Sequence, residues 1–400
     1  MHRHIEKLHD ISAKSERLII GLMSGTSLDG LDVALCKISG DGLQSQVELL
    51  QFCTVEYDDI YRSRIRDIFS RRDVDLQQVC LLNPWIGTLH GDMVLQCLAK
   101  WHIRPEDVDL VASHGQTIFH APRSLHGINA MPNATLQIGD GDHLAVKTGI
   151  ITLSDFRQKH IAAGGEGAPL AVYGDYLIFA SATQNRVMLN MGGIANFTFL
   201  PASLDAQAVF STDVGTGNTL MDAYVQKHFA PQIYDADAAI ARAGVIHPTL
   251  LSALKDHAFF AQGFPKTTGP ELFNLAYLAR AQQQSNTESL SHEDVMATLN
   301  RFSADMIVDA LNRCAGQLGE YHLYGSGGGV HNPLLMDNIR SQLPQVQVHS
   351  TNELGINPDA KEAVLFALLA NECVAGGKAQ FGNAREGIPT VTMGKVSFAD

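Results

Sequence analysis

Short apolar runs alternate with turn-rich polar segments at the start of the chain. Residues 17–22 and 31–38 are apolar runs, and the polar segment 23–30 separates them. Runs of this length bounded by turn residues predict β-strands, so the pattern predicts a hairpin with a long loop. A similar arrangement returns within residues 186–200, around Met191–Gly193. Two such hairpins, each followed by helical periodicity, predict a duplicated α/β architecture.

Later segments extend this pattern. Residues 321–326 predict a strand that ends in the glycine loop 327–329, between helical stretches at 294–315 and 332–343. Residues 358–373 have the apolar spacing of another helix.

The chain is long enough for more than one domain. Its 400 residues correspond to two or three domains, and we place an N-terminal arm at 1–16, a first domain at 17–156 plus about 375–400, and a second at 157–374. The glycine-rich segment 161–169 is a candidate interdomain hinge or binding loop, and a plain flexible connector is equally consistent with its composition.

Composition narrows the class of function. With 45% hydrophobic and 18% charged residues, the chain is an ordinary globular protein. A net charge of -13 without a basic run argues against nucleic acid and anionic membranes as partners. No apolar run reaches the ~18 residues of a membrane helix, which favours a cytoplasmic protein. The six cysteines form no CxxC pair and are interpreted as small buried residues without disulfides or zinc.

The loop Ser24–Asp32 contains more glycine, hydroxyl and carboxylate residues than a simple hairpin turn needs. Two glycines and several hydroxyl residues are typical of a phosphate loop, and carboxylates such as Asp29 can hold a divalent cation through water. The loop lacks the ending of a P-loop and the helix-opening G-x-G-x-x-G of a dinucleotide fold. A long structural turn is the alternative.

A second candidate is the carboxylate of Asp213, which follows a β-like run and precedes a glycine-rich turn and the helical stretch 220–227. An aspartate at a strand end can act as a general base. On these residues alone, a helix cap or an Asx-turn explains Asp213 equally well.

Two further polar segments follow buried strands. Ser113–Thr117 offers donors and acceptors suited to sugar hydroxyls or an amide. Asp155 and Arg157 could bind a substrate carboxylate or form an internal ion pair. Lys266, in a basic loop, is either a nucleotide or sugar contact or a solvated lysine.

Taken in order, these motifs resemble the anhydro-N-acetylmuramic acid kinase family. The resemblance extends from about Leu18 to the C-terminus. The matching segments are Gly21–Gly30, Ser113–Thr117, Asp155–Arg157 with Ala162–Pro169, Asn190–Asn196 and Gly325–Asn332. The chain departs from the pattern in its N-terminal arm and at Thr216, where many relatives have proline.

The resemblance implies two actin/hexokinase-like (ribonuclease H-like) α/β domains around a central ATP cleft. It also implies ATP and Mg²⁺ as cofactors, 1,6-anhydro-N-acetylmuramic acid as the substrate, and a homodimer. The expected reaction uses water to open the anhydro ring while O6 is phosphorylated, giving N-acetylmuramic acid 6-phosphate in peptidoglycan recycling.

The resemblance also implies roles for residues. Asp213 is expected to be the base that activates water, and Asp29 to lie by Mg²⁺ and its waters. The expected ATP and phosphate contacts are Gly21, Ser24, Gly25, Thr26, Ser27, Asp29, Gly30, Asn190, Gly192, Gly193, Gly327, Gly328 and Gly329. The expected substrate contacts are His114, Gln116, Asp155, Arg157 and Glu362, the last of which is equally explained as a first-turn glutamate favoured by the helix dipole.

Two other functions keep the same fold. One is a sugar-binding regulator without turnover, and the other is a hydrolase that opens the anhydro ring without ATP. The hydrolase leaves the three glycine loops unexplained.

Overall fold

A computed structural model describes residues 2–25, 27–376, 381–383 and 387–400. The chain forms two compact units, Met1–Phe179 with Ala360–Asp400 and Ala180–Asp359.

The first unit is built on a mixed sheet. Its strands among the described residues are β1 (Glu16–Ser24), β2 (Gly30–Ser39), β3 (Gln46–Glu56), β4 (Leu110–Ala121), β5 (Ala134–Ile138), β6 (Thr152–Ser154) and β12 (Lys395–Ser397). The order is β12-β6-β4-β1-β2-β3, with β5 paired to β4. Strands β1, β2 and β3 are antiparallel, whereas β4 is parallel to β1 and β6 is parallel to β4.

Helices of the first unit begin and end at recognisable residues. They are α1 (Arg3–Ala13), α2 (Asp59–Arg66), α3 (Leu76–Trp101), α4 (Arg123–His126), α5 (Gly141–Thr148), α6 (Phe156–Ala162), α7 (Ala171–Phe179) and α15 (Lys361–Val374). The Asp75 side chain caps α3 by accepting from Gln77 N, and left-handed His102 ends it. Apolar residues of α2 and α3 pack on the sheet and form the core of this unit.

The second unit repeats this plan. Its strands are β7 (Asn185–Met191), β8 (Ile194–Leu200), β9 (Phe210–Thr216), β10 (Tyr321–Ser326) and β11 (Gln347–Ser350), in the order β11-β10-β7-β8-β9. Strands β7, β8 and β9 are antiparallel, whereas β10 is parallel to β7 and β11 to β10. Its helices are α8 (Thr219–His228), α9 (Ala239–Ala243), α10 (Pro248–Lys255), α11 (Ala258–Ala261), α12 (Leu275–Ser285), α13 (His292–Leu318) and α14 (Pro333–Gln342).

Both sheets therefore contain three antiparallel strands followed by two strands parallel to the first, the order of ribonuclease H-like domains. The predicted duplication and the α/β class are confirmed. Both predicted hairpins are present, as β1–β2 and β7–β8.

The division into units differs from the predicted domain boundaries. Residues 157–179, with α6 and α7, belong to the first unit, and so does α15. The physical reason is packing, because α15 lies against β1, β2 and α7. The N-terminal arm is ordered as α1, where Ile11 is buried, and Lys14 pairs with Asp109 at 2.5 Å.

Helices in the described part of the chain are either too short or too polar to cross a membrane.

Candidate functional site

The loop between β1 and β2 is anchored by a buried polar network. Ser24 Oγ donates to Gln116 Oε1 at 2.6 Å and lies 2.7 Å from the hydroxyl of Tyr57. That hydroxyl also lies 3.0 Å from Nε2 of His90 on α3. Ser24 is only 2% exposed, so it supports the loop from below. It was predicted as a phosphate contact, but its hydroxyl is used inside the protein.

The tip of this loop faces solvent. Ser27 and Asp29 are exposed, and Ser27 Oγ donates to Asp29 Oδ1 at 2.5 Å. Leu28 adopts a left-handed conformation (φ 59°) with its side chain buried, which turns the polar neighbours outward. Gly25 is half-exposed. Gly25, Ser27 and Asp29 are therefore accessible to a ligand. Thr26, also predicted as a phosphate contact, lies outside the described residues.

Two glycines predicted as phosphate contacts, Gly21 and Gly30, have packing roles in the structure. A Cβ at Gly21 would lie 1.8 Å from the carbonyl oxygen of Ala363, so the glycine allows α15 to approach β1. A Cβ at Gly30 would lie 2.6 Å from the carbonyl oxygen of Val55 on β3. Gly21 lies in a strand, as the apolar run 17–22 predicts, whereas Gly30, which was assigned to the turn-rich segment 23–30, is the first residue of β2.

Gln116 is buried in β4, and its side chain is occupied by the protein. Its Oε1 accepts from Ser24 and from the Tyr61 hydroxyl, and its Nε2 donates to the carbonyls of Gly25 and Thr117. The polar segment predicted after a strand is part of the strand itself. Gln116 therefore positions the first loop, and its contact with a sugar stays a prediction.

His114 and Arg157, by contrast, form one cluster. Arg157 Nε donates to His114 Nε2 at 2.8 Å, and the other ring nitrogen of His114 lies 2.8 Å from the Gly115 carbonyl. Burial and the Arg157 charge hold the pKa of His114 well below its usual range. The imidazole is therefore neutral, with its proton on Nδ1. It orients the guanidinium, which also donates to the Gly167 carbonyl at 2.7 Å.

Glu362 lies close enough to Arg157 for its carboxylate to raise the pKa of the guanidinium. Burial lowers the pKa of Arg157 to about 10, and the Glu362 carboxylate opposes that change. Glu362 is exposed in the first turn of α15, where the helix dipole also favours a carboxylate. Three of the five predicted substrate contacts, at 114, 157 and 362, are thus brought together.

Asp155 does not pair with Arg157, so the internal ion pair considered from the sequence is wrong. Its carboxylate pairs with Lys395 on β12. The segment 163–169 belongs to the first unit and folds around His160, whose Nδ1 accepts from Gly167 N at 3.0 Å. His160 is fully buried and was not identified from the sequence, because its role depends on contacts across the loop.

In the second unit, the β7–β8 loop meets the start of α8. The Gly193 carbonyl accepts from Gly217 N at 2.8 Å and from Thr219 N at 3.1 Å, and the Gly192 carbonyl accepts from Asn218 N at 2.9 Å. Gly193 is exposed and Gly192 half-exposed. These backbone contacts place the glycine loop beside the N-terminus of a ten-residue helix, where the dipole favours an anion.

The glycine loop after β10 reaches the same place. Gly327 has a positive φ of 78°, and a Cβ there would lie 2.6 Å from Asn190 Oδ1. A Cβ at Gly329 would lie 2.5 Å from that of Met191, so this glycine packs against β7. Gly328 is exposed, and a Cβ there would lie 3.7 Å from Asn218 Nδ2. The segments 190–193 and 327–329 therefore meet, and the Asn218 side chain lies beside them. Their contact with ATP stays a prediction.

Asp213 is a half-buried residue of β9. Its Oδ2 accepts from Thr268 N at 2.8 Å, and its own N–H donates to the Lys266 carbonyl. Desolvation, together with the charge of Glu271, raises the pKa of Asp213 to about 6 although the Thr268 hydrogen bond opposes the shift. The residue at the cap position of α8 is Asn218, so the helix-cap explanation of Asp213 is wrong.

Lys266 is buried, and its ammonium group contacts a backbone carbonyl and an aromatic ring. It is 8% exposed, its Nζ donates to the Phe259 carbonyl at 3.0 Å, and it lies 4.0 Å from the centre of the Phe259 ring. Desolvation and the nearby Arg313 charge lower the pKa of Lys266 to about 8. It lines a cavity of about 380 Å³ that also includes Val214, the neighbour of Asp213. Lys266 therefore supports the loop that holds Asp213.

Asp29 is the one carboxylate of the first loop tip that faces solvent, and it forms no ion pair with a basic side chain among the described residues. The described part of the chain has no group of three or more His, Cys, Asp or Glu side chains arranged for a metal. Mg²⁺ in nucleotide sites commonly needs only one or two carboxylates, because phosphates and water complete its shell. The exposed Asp29 is consistent with that requirement.

Comparison with known proteins identifies the family. The family model described as anhydro-N-acetylmuramic acid kinase matches residues 17–395. A protein of that name from Pseudoalteromonas atlantica is 63% identical over the full length of both chains. Another, from Pseudoalteromonas translucida, is 59% identical, also over the full length of both.

Solved structures resemble the chain only distantly. An activator of 2-hydroxyisocaproyl-CoA dehydratase from Clostridium difficile, with bound ADPNP, covers 89% of this chain and 95% of its own at a TM-score of 0.41 and 12% identity. The family match, in contrast, extends across both sheets and every motif identified from the sequence. The chain belongs to the anhydro-N-acetylmuramic acid kinase family and is a phosphotransferase.

Proposed function

We propose that this kinase uses ATP and water to convert 1,6-anhydro-N-acetylmuramic acid into N-acetylmuramic acid 6-phosphate and ADP. Water adds to the anomeric carbon, the bond between that carbon and O6 breaks, and O6 takes the γ-phosphoryl group. The internal acetal thus supplies its own phosphoryl acceptor, and the protein mainly has to position it. A role in peptidoglycan recycling and a homodimer remain predictions from the resemblance, and a cytoplasmic location remains a prediction from the apolar pattern of the sequence.

Asp213 is the proposed base that removes a proton from the attacking water. The observation that carries this role is its half-buried carboxylate, which accepts a hydrogen bond from Thr268 N and has a pKa raised to about 6. A base with this pKa is ionised at neutral pH and is more basic than an ordinary aspartate. The Thr268 N–H fixes one oxygen of the carboxylate, which leaves the other for water.

The glycine loops of the second unit are the proposed nucleotide contacts. Gly192, Gly193 and Gly328 lie on the exposed side of the place where the loops meet. The N–H groups of these exposed glycines suit phosphate oxygens, and the dipole at the N-terminus of α8 favours the negative charge. Ser27 and Asp29 of the first unit are the proposed partners of phosphate and hydrated Mg²⁺, which would neutralise charge on the transferred group.

Arg157, oriented by His114, is the proposed partner of the sugar's carboxylate. A guanidinium can bind a carboxylate through two parallel hydrogen bonds. Glu362 is a proposed acceptor for a sugar hydroxyl or amide.

Product stoichiometry tests the reaction against its alternatives. Purified chain is incubated with ATP, Mg²⁺ and the anhydro sugar, and ADP and sugar products are quantified together. We expect one ADP for each sugar opened. Ring opening without ADP would indicate the hydrolase, and an intact sugar would indicate the regulator.

Labelled water tests the route of the oxygen. In H₂¹⁸O, the label should enter the anomeric hydroxyl and be absent from the phosphate ester. Label in the transferred phosphoryl group would exclude O6 as the nucleophile.

The Asp213→Asn variant tests the base. An amide keeps the size and the Thr268 contact but cannot accept the proton, so we expect kcat to fall by ~10³-fold or more while the Kd for Mg-ADP changes by less than ~2-fold. Asp205→Asn is the control, because Asp205 caps a short turn in the same unit and asparagine also caps. Near-normal turnover in Asp213→Asn would remove Asp213 from the mechanism.

A further inference from the structure

Two cysteines that are distant in sequence meet inside the first unit. Cys53 lies on β3 and Cys97 on α3, and their Sγ atoms are 2.9 Å apart. A disulfide bond is ~2.05 Å long, so the two sulfurs need to approach by less than ~1 Å to form one. Because the residues are in different elements and form no CxxC motif, the sequence did not indicate their contact.

The two thiols have different environments. Cys53 is half-exposed, whereas Cys97 is 3% exposed. The hydrogen bond from the Cys97 thiol and the charge of Lys100 lower the pKa of Cys53 to about 7, although burial and Asp32 oppose this. The same hydrogen bond and burial raise the pKa of Cys97. A partly accessible thiolate therefore sits against a buried thiol, the arrangement of an attacking and a resolving cysteine.

We propose that Cys53 and Cys97 form a reversible intramolecular disulfide when the protein meets a small disulfide such as oxidised glutathione. The Cys53 thiolate attacks one glutathione sulfur, the glutathione S–S bond breaks, and one glutathione thiolate leaves. Cys97 then loses its proton to solvent and attacks the Cys53 sulfur, which expels the second glutathione. Two protein thiols are oxidised and one glutathione disulfide is reduced to two thiols.

Formation of the mixed disulfide at Cys53 makes the Cys97 thiol easier to deprotonate. While Cys53 is a thiolate, its interaction with Cys97 keeps the Cys97 proton in place. Once the Cys53 sulfur is part of a mixed disulfide, it carries no negative charge, and only burial still raises the pKa of Cys97. The sulfur that Cys97 must attack is then already beside it.

The bond would join two elements that support the first loop. Strand β3 leads to Tyr57, and α3 carries His90, and these two side chains meet beside Ser24. A link between positions 53 and 97 removes conformational freedom from the unfolded chain. Oxidation should therefore raise the melting temperature, in a way that dithiothreitol reverses.

Mass spectrometry of the full chain tests the proposal. Reduced protein is equilibrated with oxidised and reduced glutathione, quenched with acid, alkylated and digested. In the digest we expect a peptide cross-linked through Cys53 and Cys97. Before alkylation, the intact oxidised protein should be lighter than the reduced protein by two hydrogen atoms. Its melting temperature should be higher by ~3 °C or more. Cys80→Ser should behave in the same way, because Cys80 is an exposed thiol on the same helix.

The Cys97→Ser variant isolates the first step. Without a resolving thiol, Cys53 should retain glutathione as a mixed disulfide, whereas the wild-type chain should not. The proposal is overturned if wild-type Cys53 also accumulates glutathione, or if both thiols stay alkylatable under conditions that modify Cys80. The wild-type peptide map decides the matter by itself if the variant does not fold.

Discussion

At the residue scale, Asp213 combines a catalytic requirement with a cost in stability. Burial raises its pKa from an ordinary 3.8 to about 6, so the folded protein binds this proton more tightly than the unfolded chain. Stability contributed by this group is therefore lost as pH rises from about 4 through about 6. A half-buried carboxylate with a raised pKa is typical of a functional site.

This linkage predicts that Asp213→Asn stabilises the fold at pH 8. The amide removes the desolvated charge, and we expect a gain of roughly 1–2 kcal/mol, reduced by the residue's partial exposure. At pH 5 the wild-type carboxyl is largely protonated, so the gain should be smaller. Urea unfolding at both pH values measures the difference. An equal gain at pH 8 and pH 5 would show that the native carboxyl does not titrate in this range.

Activity should follow the same ionisation. The proposed base works only as a carboxylate, so log(kcat/KM) should decrease below about pH 6 with a slope approaching one. Initial rates between pH 4.5 and 8, at constant ionic strength, measure the profile. A flat profile through pH 6 would argue against Asp213 as the titrating base.

Arg157 makes a second prediction at this scale. Its Nε contacts His114 while Nη1 contacts the Gly167 carbonyl, and a lysine cannot reproduce this forked arrangement. Arg157→Lys should raise the KM for the sugar by ~10-fold or more and leave Mg-ADP affinity unchanged. Arg123→Lys, on the exposed helix α4, is the control. An unchanged KM for the sugar in Arg157→Lys would place the guanidinium outside the sugar site.

At the element scale, apolar periodicity predicted the hairpins and helices that local sequence determines. It did not predict features that depend on packing between distant parts of the chain. The hairpins and helix α13 follow from apolar spacing and from caps such as Ser291, whose side chain accepts from Asp294 N. The end of β4 was not predicted, because Gln116 looks exposed until its buried partners are known. The contacts of Asp155 with Lys395 and of Cys53 with Cys97 join residues far apart in sequence, which no local pattern encodes.

The β1–α15 contact shows how a motif residue can be structural, and it predicts different outcomes for two glycines. Gly21→Ala would place a Cβ 1.8 Å from the Ala363 carbonyl oxygen, so the helix must move and stability should fall by ~3 kcal/mol or more. Gly25→Ala meets its nearest atom, Ser27 Oγ, at 3.4 Å and should leave the melting temperature unchanged. Equal melting temperatures for Gly21→Ala and wild type would mean that α15 does not pack this closely.

At the scale of the whole molecule, two copies of one strand order carry different chemistry. The hairpin of the first unit ends in hydroxyl and carboxylate groups, whereas that of the second ends in Gly192 and Gly193. Strand order thus explains where loops occur, and the loop residues determine what each loop binds. The second unit brings three separate stretches of sequence together through backbone contacts, so a ligand there should affect all of them at once.

Hydrogen exchange of the full chain, with and without Mg-ADP, tests whether one nucleotide contacts all three stretches of the second unit. If the glycine loops bind the nucleotide, peptides covering 190–193, 217–219 and 327–329 should all exchange more slowly, because binding stabilises the state in which they are joined. The exposed residues 245–246 belong to the same unit, lie outside these loops and should be unaffected. Gly193→Val should weaken protection in all three segments together, since a Cβ there already meets Thr219 Oγ1 at 2.7 Å. Protection confined to one segment would contradict a shared nucleotide site, even if the kinase reaction itself were confirmed.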